Sequence, residues 1–185
     1  WALVHAGASG VGTAAVQICR AIGARVIATC STAKVDAVTA LGADVVVDYT
    51  SQDFVETVKR ATDGKGVDVI LDVIGGEYLD RNVACIAVRG RIVQVGVMGG
   101  GNTAFNLGAL MPKRASLTGT VLRARPLEEK IALSQRFSSE IIPLFESGLL
   151  RPVIDRRYPF TAIAEAHAFM GANGNIGKIV IDIAG

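Results

Sequence analysis

The sequence is short of several things, and each shortage removes a class of function. Histidine occurs only at His5 and His167, and cysteine only at Cys19, Cys30 and Cys85, with no Cys-x-x-Cys pair. A disulfide framework or a structural zinc site is therefore not expected within the chain. A reducing, cytoplasmic setting is the expectation instead. Charges of both signs are scattered around a net +2 without any block of like charge. This argues against nucleic acid or an anionic membrane as the main partner. No apolar run is long enough to span a bilayer, and no secretory leader pattern is visible. Aromatics make up only 5% of the residues. The core must therefore come from Val, Ile, Leu and Ala.

What is present is a chain of 185 residues, 50% hydrophobic and 19% charged, with 21 glycines. That suits one domain, or one domain with a small appendage, around a large buried core. Short unbroken apolar runs recur at Ala2–Val4, Val26–Ala28, Val45–Val47, Val67–Leu71, Arg91–Val95 and Ser116–Val121. Strands buried on both faces of a parallel sheet read this way. Between them the spacing turns helical. Val11, Ala15, Ile18 and Ile22 form one expected stripe. Val35, Val38 and Leu41 form another, closed by Gly42. Phe54, Val55 and Val58 form a third, with Ser51 as its expected cap, and Leu79–Ile86 a fourth. Strands alternating with single helices predict an α/β fold, a doubly wound parallel sheet.

Pro126 is placed to open a longer helix reaching about Ser147, with Gly148 after it. The tail then changes character: an extended run over Val153–Pro159, a short helix over Ala162–Met170 and a strand over Lys178–Ile183. It reads as appended to the sheet repeat. The expected division is 1–150 for the sheet domain and 151–185 for the tail. The chain opens at Trp1, without Met, directly on an apolar strand. A preceding segment is expected for that reason.

The turn Gly7-Ala8-Ser9-Gly10-Val11-Gly12 lies between the first strand and the first helix. Small residues there let a phosphate approach the backbone, and the helix start offers free amides and a partial positive charge. The usual pattern is Gly-x-Gly-x-x-Gly; here its middle glycine is Ser9. Such a pattern alone is weak, and the strand before it and helix after it are what point to a dinucleotide.

The second strand runs into Ala28-Thr29-Cys30-Ser31-Thr32 with no acid, although an NAD site would carry one there to hold the ribose hydroxyls. Ser31, Thr32 and Lys34 instead suit a 2′-phosphate, so NADP(H) is the expected cofactor. A helix cap and a solvated lysine are the alternative, and both can hold together. Tyr49 is placed to stack on an adenine, or is simply a half-buried residue at a strand end.

These residues, with Ala40–Asp44, Gly66–Asp72, Val95–Gly100 and Asn175–Val180, resemble the zinc-independent quinone oxidoreductases of the medium-chain dehydrogenase/reductase superfamily, the zeta-crystallin-like group. The resemblance covers essentially the whole chain. It implies a Rossmann domain of six strands in the order 3-2-1-4-5-6. It also implies a tail that returns to a GroES-like catalytic domain lying mostly upstream. It implies hydride transfer from NADPH to a quinone or a related electron-poor enone or carbonyl, without zinc. Carried over by position, Ser9, Gly10 and Val11 match the pyrophosphate turn, Ser31 and Lys34 the 2′-phosphate site, and Tyr49 its aromatic neighbour. Ile74 matches a position against the ribose, and Gly96, Met98 and Gly99 the nicotinamide border. Asn175 belongs to the turn reaching back to the cofactor, and Arg125 follows the sixth strand near the same cleft. A homodimer through edge strand 116–121 is also implied.

No Tyr-x-x-x-Lys, Ser-His-Asp set or carboxylate pair is apparent, so no catalytic residue is assigned in this chain. His5 reads as a strand-end polar group and His167 as a packing or surface residue. Cys30 lacks neighbours that would mark it as a nucleophile. Arg123 and Arg125 would hold a phosphate or anionic substrate, or form a solvated edge. Two other functions stay open. One is an enoyl reductase or zinc alcohol dehydrogenase relative. The other is an NADPH-binding protein used structurally or as a redox sensor.

Overall fold

The computed structural model describes residues 1–183, so the last two positions of the expected tail lie outside the described residues. Six parallel strands form one sheet in the order β3-β2-β1-β4-β5-β6, as expected. They are β1 (Ala2–Val4), β2 (Val26–Cys30), β3 (Val45–Asp48), β4 (Val67–Asp72), β5 (Ile86–Gln94) and β6 (Ser116–Gly119). β5 begins earlier than its apolar core suggests. Its register against β4 jumps from Val67↔Ile86 to Val69↔Arg91, and Arg89 within the irregularity has φ +64°. All four residues of β6 are exposed, and the strand stops at Gly119, short of the expected Val121.

Alternation along the strands divides the core between the two faces of the sheet. Leu3, Ile27, Val47 and Ile70 pack with Phe54, Val58 and Val83 on one face. Val4, Ala28 and Cys30 pack with Val16 and Val38 on the other. Helices α1 (Gly10–Ala21) and α2 (Val35–Ala40) thus cover one face, and α3 (Phe54–Ala61) and α4 (Tyr78–Cys85) the opposite one. This is the layering that an alternating chain must adopt to bury both faces of a parallel sheet.

Three local expectations need correction. The buried face of α1 is Gly12, Thr13, Val16 and Gln17, whereas Val11 is 49% and Ile22 71% exposed. The helix lies so close to β1 that only a glycine fits: a Cβ on Gly12 would strike the Ala6 carbonyl oxygen. That contact, rather than the apolar stripe, sets its rotation. The cap of α3 is Asp53, not Ser51; its carboxylate accepts the amides of Val55 at 2.7 Å and Glu56 at 3.2 Å. The helix after Pro126 runs as α6 (Leu127–Arg136), a π-helical stretch over Phe137–Ile141, and α7 (Ile142–Glu146). Pro143 has no amide for the carbonyl one turn back and its ring crowds that position, so the helix widens just before it.

A short α5 (Leu107–Leu110) precedes β6. The tail builds a separate two-stranded parallel sheet from β7 (Ile154–Pro159) and β8 (Lys178–Asp182), joined through α8 (Ile163–Gly171). It is tied to the main sheet where the glycine turn lies. Gly177 donates its amide to the Ala8 carbonyl at 2.7 Å, and Ser9 and Gly177 form a β-bridge. Gln17 holds the chain further back. Its side chain donates to the Arg151 carbonyl at 3.1 Å and accepts the Arg151 amide at 3.1 Å.

Candidate functional site

At the carboxyl ends of β1 and β2 the sheet opens into a cleft of about 450 Å³. Its floor is the glycine turn. Ser9 caps α1, its hydroxyl accepting the Gly12 amide at 2.9 Å and its carbonyl the Thr13 amide at 2.8 Å. The amides of Gly10 and Val11 remain as the free donors of the helix start. Gly7 lets the turn lie against β2, since a Cβ there would come within 2.9 Å of that of Ala28. The middle glycine of the usual pattern is thus replaced by a residue that serves as cap.

Of the residues singled out in the sequence, Ser9, Gly10, Ser31, Lys34, Tyr49, Met98 and Asn175 line this one cleft. Ser31 precedes a 3₁₀ turn over Thr32–Lys34. That turn swings Lys34 inward, where its ammonium donates to the Asn173 side-chain oxygen at 2.8 Å. Burial holds Lys34 below the usual lysine range, with Cys30 and Asp155 pulling the other way. Tyr49 stands 44% exposed at the rim and Met98 79% exposed opposite. Asn175 donates to the Gly177 carbonyl at 3.0 Å, which shapes the turn leading to β8.

The others lie outside the lining. Val11 faces solvent on the first turn of α1. Gly96 accepts the Gln94 side-chain amide at 2.6 Å behind the loop. Ile74 and Gly99 are bonded to each other, Gly99 N–H to Ile74 O at 2.7 Å, beneath Met98. Arg125 sits in a different depression with Leu122 and Leu133, donating to Thr120 at 2.7 Å and Glu129 at 3.2 Å. His167 is exposed on α8.

The sequence reading missed several contributors. Asn173, Lys178 and Met170 reach the cleft from the tail. The arm of Lys178 lies over Gly10, its ammonium 2.8 Å from where a Cβ on that glycine would be. Only the Gly-Ala-Asn-Gly-Asn composition around Asn173, which has φ +54°, hinted at a tight turn there. An acid does stand beside the end of β2, although none lies in Ala28–Thr32 itself. Asp48 of the neighbouring strand accepts the Thr32 hydroxyl at 2.6 Å and the Thr50 amide and hydroxyl at 3.0 and 2.7 Å. Those hydroxyl bonds hold its carboxyl below the ordinary range, and it does not line the cleft.

Cys30 lies buried in the cleft wall, and burial, then Asp48, push its thiol up to about 11, so it is a poor nucleophile. His5 is not a mere strand-end group. It is fully buried beneath the glycine turn, and burial lowers its pKa so that the ring is neutral.

The description zinc-binding dehydrogenase matches residues 10–139. The chain belongs to that family. As a zinc-binding dehydrogenase family member it is 32% identical to quinone oxidoreductase 1 of Escherichia coli (strain K12), over 97% of this chain and 55% of that protein. Its fold matches an Escherichia coli quinone oxidoreductase complexed with NADPH, at TM-score 0.84 and 30% identity, covering 98% of this chain and 56% of that one. It matches the CurK enoyl reductase at TM-score 0.82 and 30% identity, covering 99% and 54%. The chain therefore spans about half the length of the relatives it matches. The family description carries zinc. Among the described residues no three His, Cys, Asp or Glu side chains gather to hold a metal ion, so the residues present do not fit one.

Proposed function

We propose that the cleft binds NADPH and that this chain is the cofactor-holding part of an NADPH-dependent oxidoreductase acting on a quinone or a related electron-poor enone or carbonyl. The observation that carries the cofactor is Lys34. A buried ammonium faces the cleft beside Ser31 and Tyr49, at the end of β2. A 2′-phosphate matches that cation, and a carboxylate would take its place in a site for unphosphorylated NAD. The relative complexed with NADPH supports the reading. So does the volume, which lies within the range of small-molecule sites.

When bound, NADPH supplies the hydride equivalent and the chain does the positioning. The amides of Gly10 and Val11 face the pyrophosphate, Tyr49 the adenine, and Ile74, Gly96, Met98 and Gly99 the ribose and nicotinamide side. Asn175 shapes the returning turn, and Arg125 stays outside the cleft, bonded to Thr120 and Glu129. Residues 151–185 are the return to a catalytic domain, where the acceptor site is completed. An enoyl reductase is the second reading, favoured by the likeness to CurK. We also propose a homodimer through β6, an unpaired edge exposed on all four residues. A cytoplasmic setting suits the three free thiols.

The deciding experiment titrates the chain with NADPH and NADH by cofactor fluorescence, then follows NADPH oxidation with a quinone and an enone in the protein that includes the catalytic domain. Tighter NADPH binding supports the cofactor reading, and equal affinities overturn it. NADPH oxidation by neither acceptor overturns the activity.

A further inference from the structure

Beneath the cleft lies a chain of buried polar groups that binding alone does not account for. Asp72 ends β4 fully buried, and its partners are all amides. One oxygen accepts the backbone N–H of Ile74 at 2.6 Å and of Gly75 at 3.0 Å. The other accepts the side-chain NH₂ of Asn82, on α4, at 2.8 Å. A carboxylate cannot donate, so the NH₂ of Asn82 must face it. The Asn82 oxygen, 2.8 Å from Nε2 of His5, is therefore an acceptor, and Nε2 carries the proton. Nδ1 of His5 then accepts the Thr29 hydroxyl at 3.2 Å. Thr29 lies near the end of β2.

Each end of this relay touches a cofactor-facing loop. At one end Thr29 accepts the amides of Ala6 at 3.3 Å through its hydroxyl and Gly7 at 2.8 Å through its carbonyl, which fixes the glycine turn. At the other, the Ile74–Gly76 loop held by Asp72 presses on the Val97–Gly100 loop. A Cβ on Gly75 would come within 2.9 Å of the Gly100 oxygen, and one on Gly76 within 2.7 Å of the Gly99 oxygen. Met98, at the crest of that second loop, lines the cleft and donates its amide to the Val73 carbonyl at 3.2 Å.

We propose that Thr29, His5, Asn82 and Asp72 are positioning residues that hold the pyrophosphate turn and the nicotinamide-side loops at a fixed spacing. The proposal rests on the cofactor reading above. Apolar packing is non-directional and tolerates small slides between elements, whereas a fully satisfied hydrogen-bond chain does not. Half of such a network is worse than none, because each broken link strands a buried polar group. The relay therefore acts as a unit, and it joins β2, β4 and α4 to the residue that follows β1.

The test uses the single variant Asn82→Asp and the swap that combines Asp72→Asn with Asn82→Asp. The single variant sets two carboxylates face to face. The swap restores every donor and acceptor. The amide introduced at position 72 accepts the loop N–H groups through its oxygen and donates through its nitrogen to the carboxylate introduced at position 82. That carboxylate also accepts from Nε2 of His5. Each protein is titrated with NADPH and with adenosine 2′,5′-bisphosphate, which occupies only the adenosine side. Asn82→Asp is expected to weaken NADPH about tenfold and leave the bisphosphate within about twofold, with the swap recovering most of the loss. If the single variant does not fold, a folded swap that binds NADPH within about threefold of the parent carries the same support. Parallel loss of both ligands, unchanged NADPH binding in the single variant, or a swap no better than the single variant overturns the relay. A parent protein that binds neither ligand overturns the cofactor reading, and this inference with it.

Discussion

The ammonium of Lys34 donates to the side-chain oxygen of Asn173 at 2.8 Å, joining residues 139 apart in the chain. One wall of the cleft comes from the first third of the sequence and the other from near its end, and this bond closes the gap between them. Replacing Lys34 by Ala removes the buried cation facing the proposed 2′-phosphate. A charge-assisted hydrogen bond contributes about 1.5–3 kcal/mol. NADPH affinity is therefore expected to fall roughly ten- to a hundredfold while NADH changes by less than about twofold. Fluorescence titration of both cofactors checks this, and an equal loss for the two would remove Lys34 from the phosphate site.

Gly12→Ala tests the approach of α1 to β1. The added methyl meets backbone on both sides, the Ala6 oxygen and Gly7 Cα, the latter at 2.7 Å. Neither can swing away as a flexible side chain would. Destabilisation of about 1–3 kcal/mol is expected, read as a thermal midpoint lower by roughly 2–12 °C for a chain of this size. Gly23→Ala is the contrast. It has open space around it but φ +79°, so its cost is conformational and smaller.

The strands and the location of the cleft were legible because both follow from local rules, whereas the order of the strands came from the family resemblance. Apolar runs such as Val67–Leu71 read as buried strands, and a small-residue turn between strand and helix marks a crevice. The rotation of α1 was not legible. Val11 and Ile22 look like core by spacing, but the close contact at Gly12 turns the helix so that Thr13 and Gln17 go inward. Their burial is satisfied by bonds that no helical stripe reveals, among them Gln17 to Arg151 across the tail. Asn173, Lys178 and Asp48 were missed for a related reason. Asp48 and Lys178 reach their places through strand pairing, and Asn173 through a turn after α8 whose small-residue composition says nothing of the cleft it meets. His5 was underrated because its partners, Asn82 and Thr29, are 77 and 24 residues away.

Two buried thiols predict an alkaline limit to stability. Burial raises Cys30 from an ordinary 9.0 to about 11 and Cys85 to about 12. A thiol whose pKa is raised on folding favours the native state while it stays protonated. Relative to the unfolded chain, the native state binds its proton more tightly above about pH 9, and stability falls as pH climbs from there through 11 and 12. Thermal midpoints measured from pH 8 to 12 should fall steeply in the parent and less steeply in Cys85→Ala. Alkylation of Cys30 should be slow at neutral pH. A fast reaction there would mean that the wall of the cleft opens.

Gln17→Leu keeps the volume and removes the clasp on Arg151. Two backbone groups then lose their partners, at a cost of about 1–3 kcal/mol each if they stay buried. The tail should loosen before the sheet does. Hydrogen exchange of the β8 amides is expected to speed up more than that of β1 or β4. Uniform acceleration across the chain would show that the clasp supports the whole fold rather than the tail.

The bridge between Ser9 and Gly177, with the Gly177 amide on Ala8, has a bearing on the order of events during synthesis. Within this chain the nucleotide turn leaves the ribosome well before the residues that complete its pocket. A nascent chain can form the six-stranded sheet and still lack a finished ligand site. Cofactor would discriminate between the docked and undocked tail, drawing the equilibrium toward the finished form by mass action. Ligand supply would in that way act as a proofreader of completed chains.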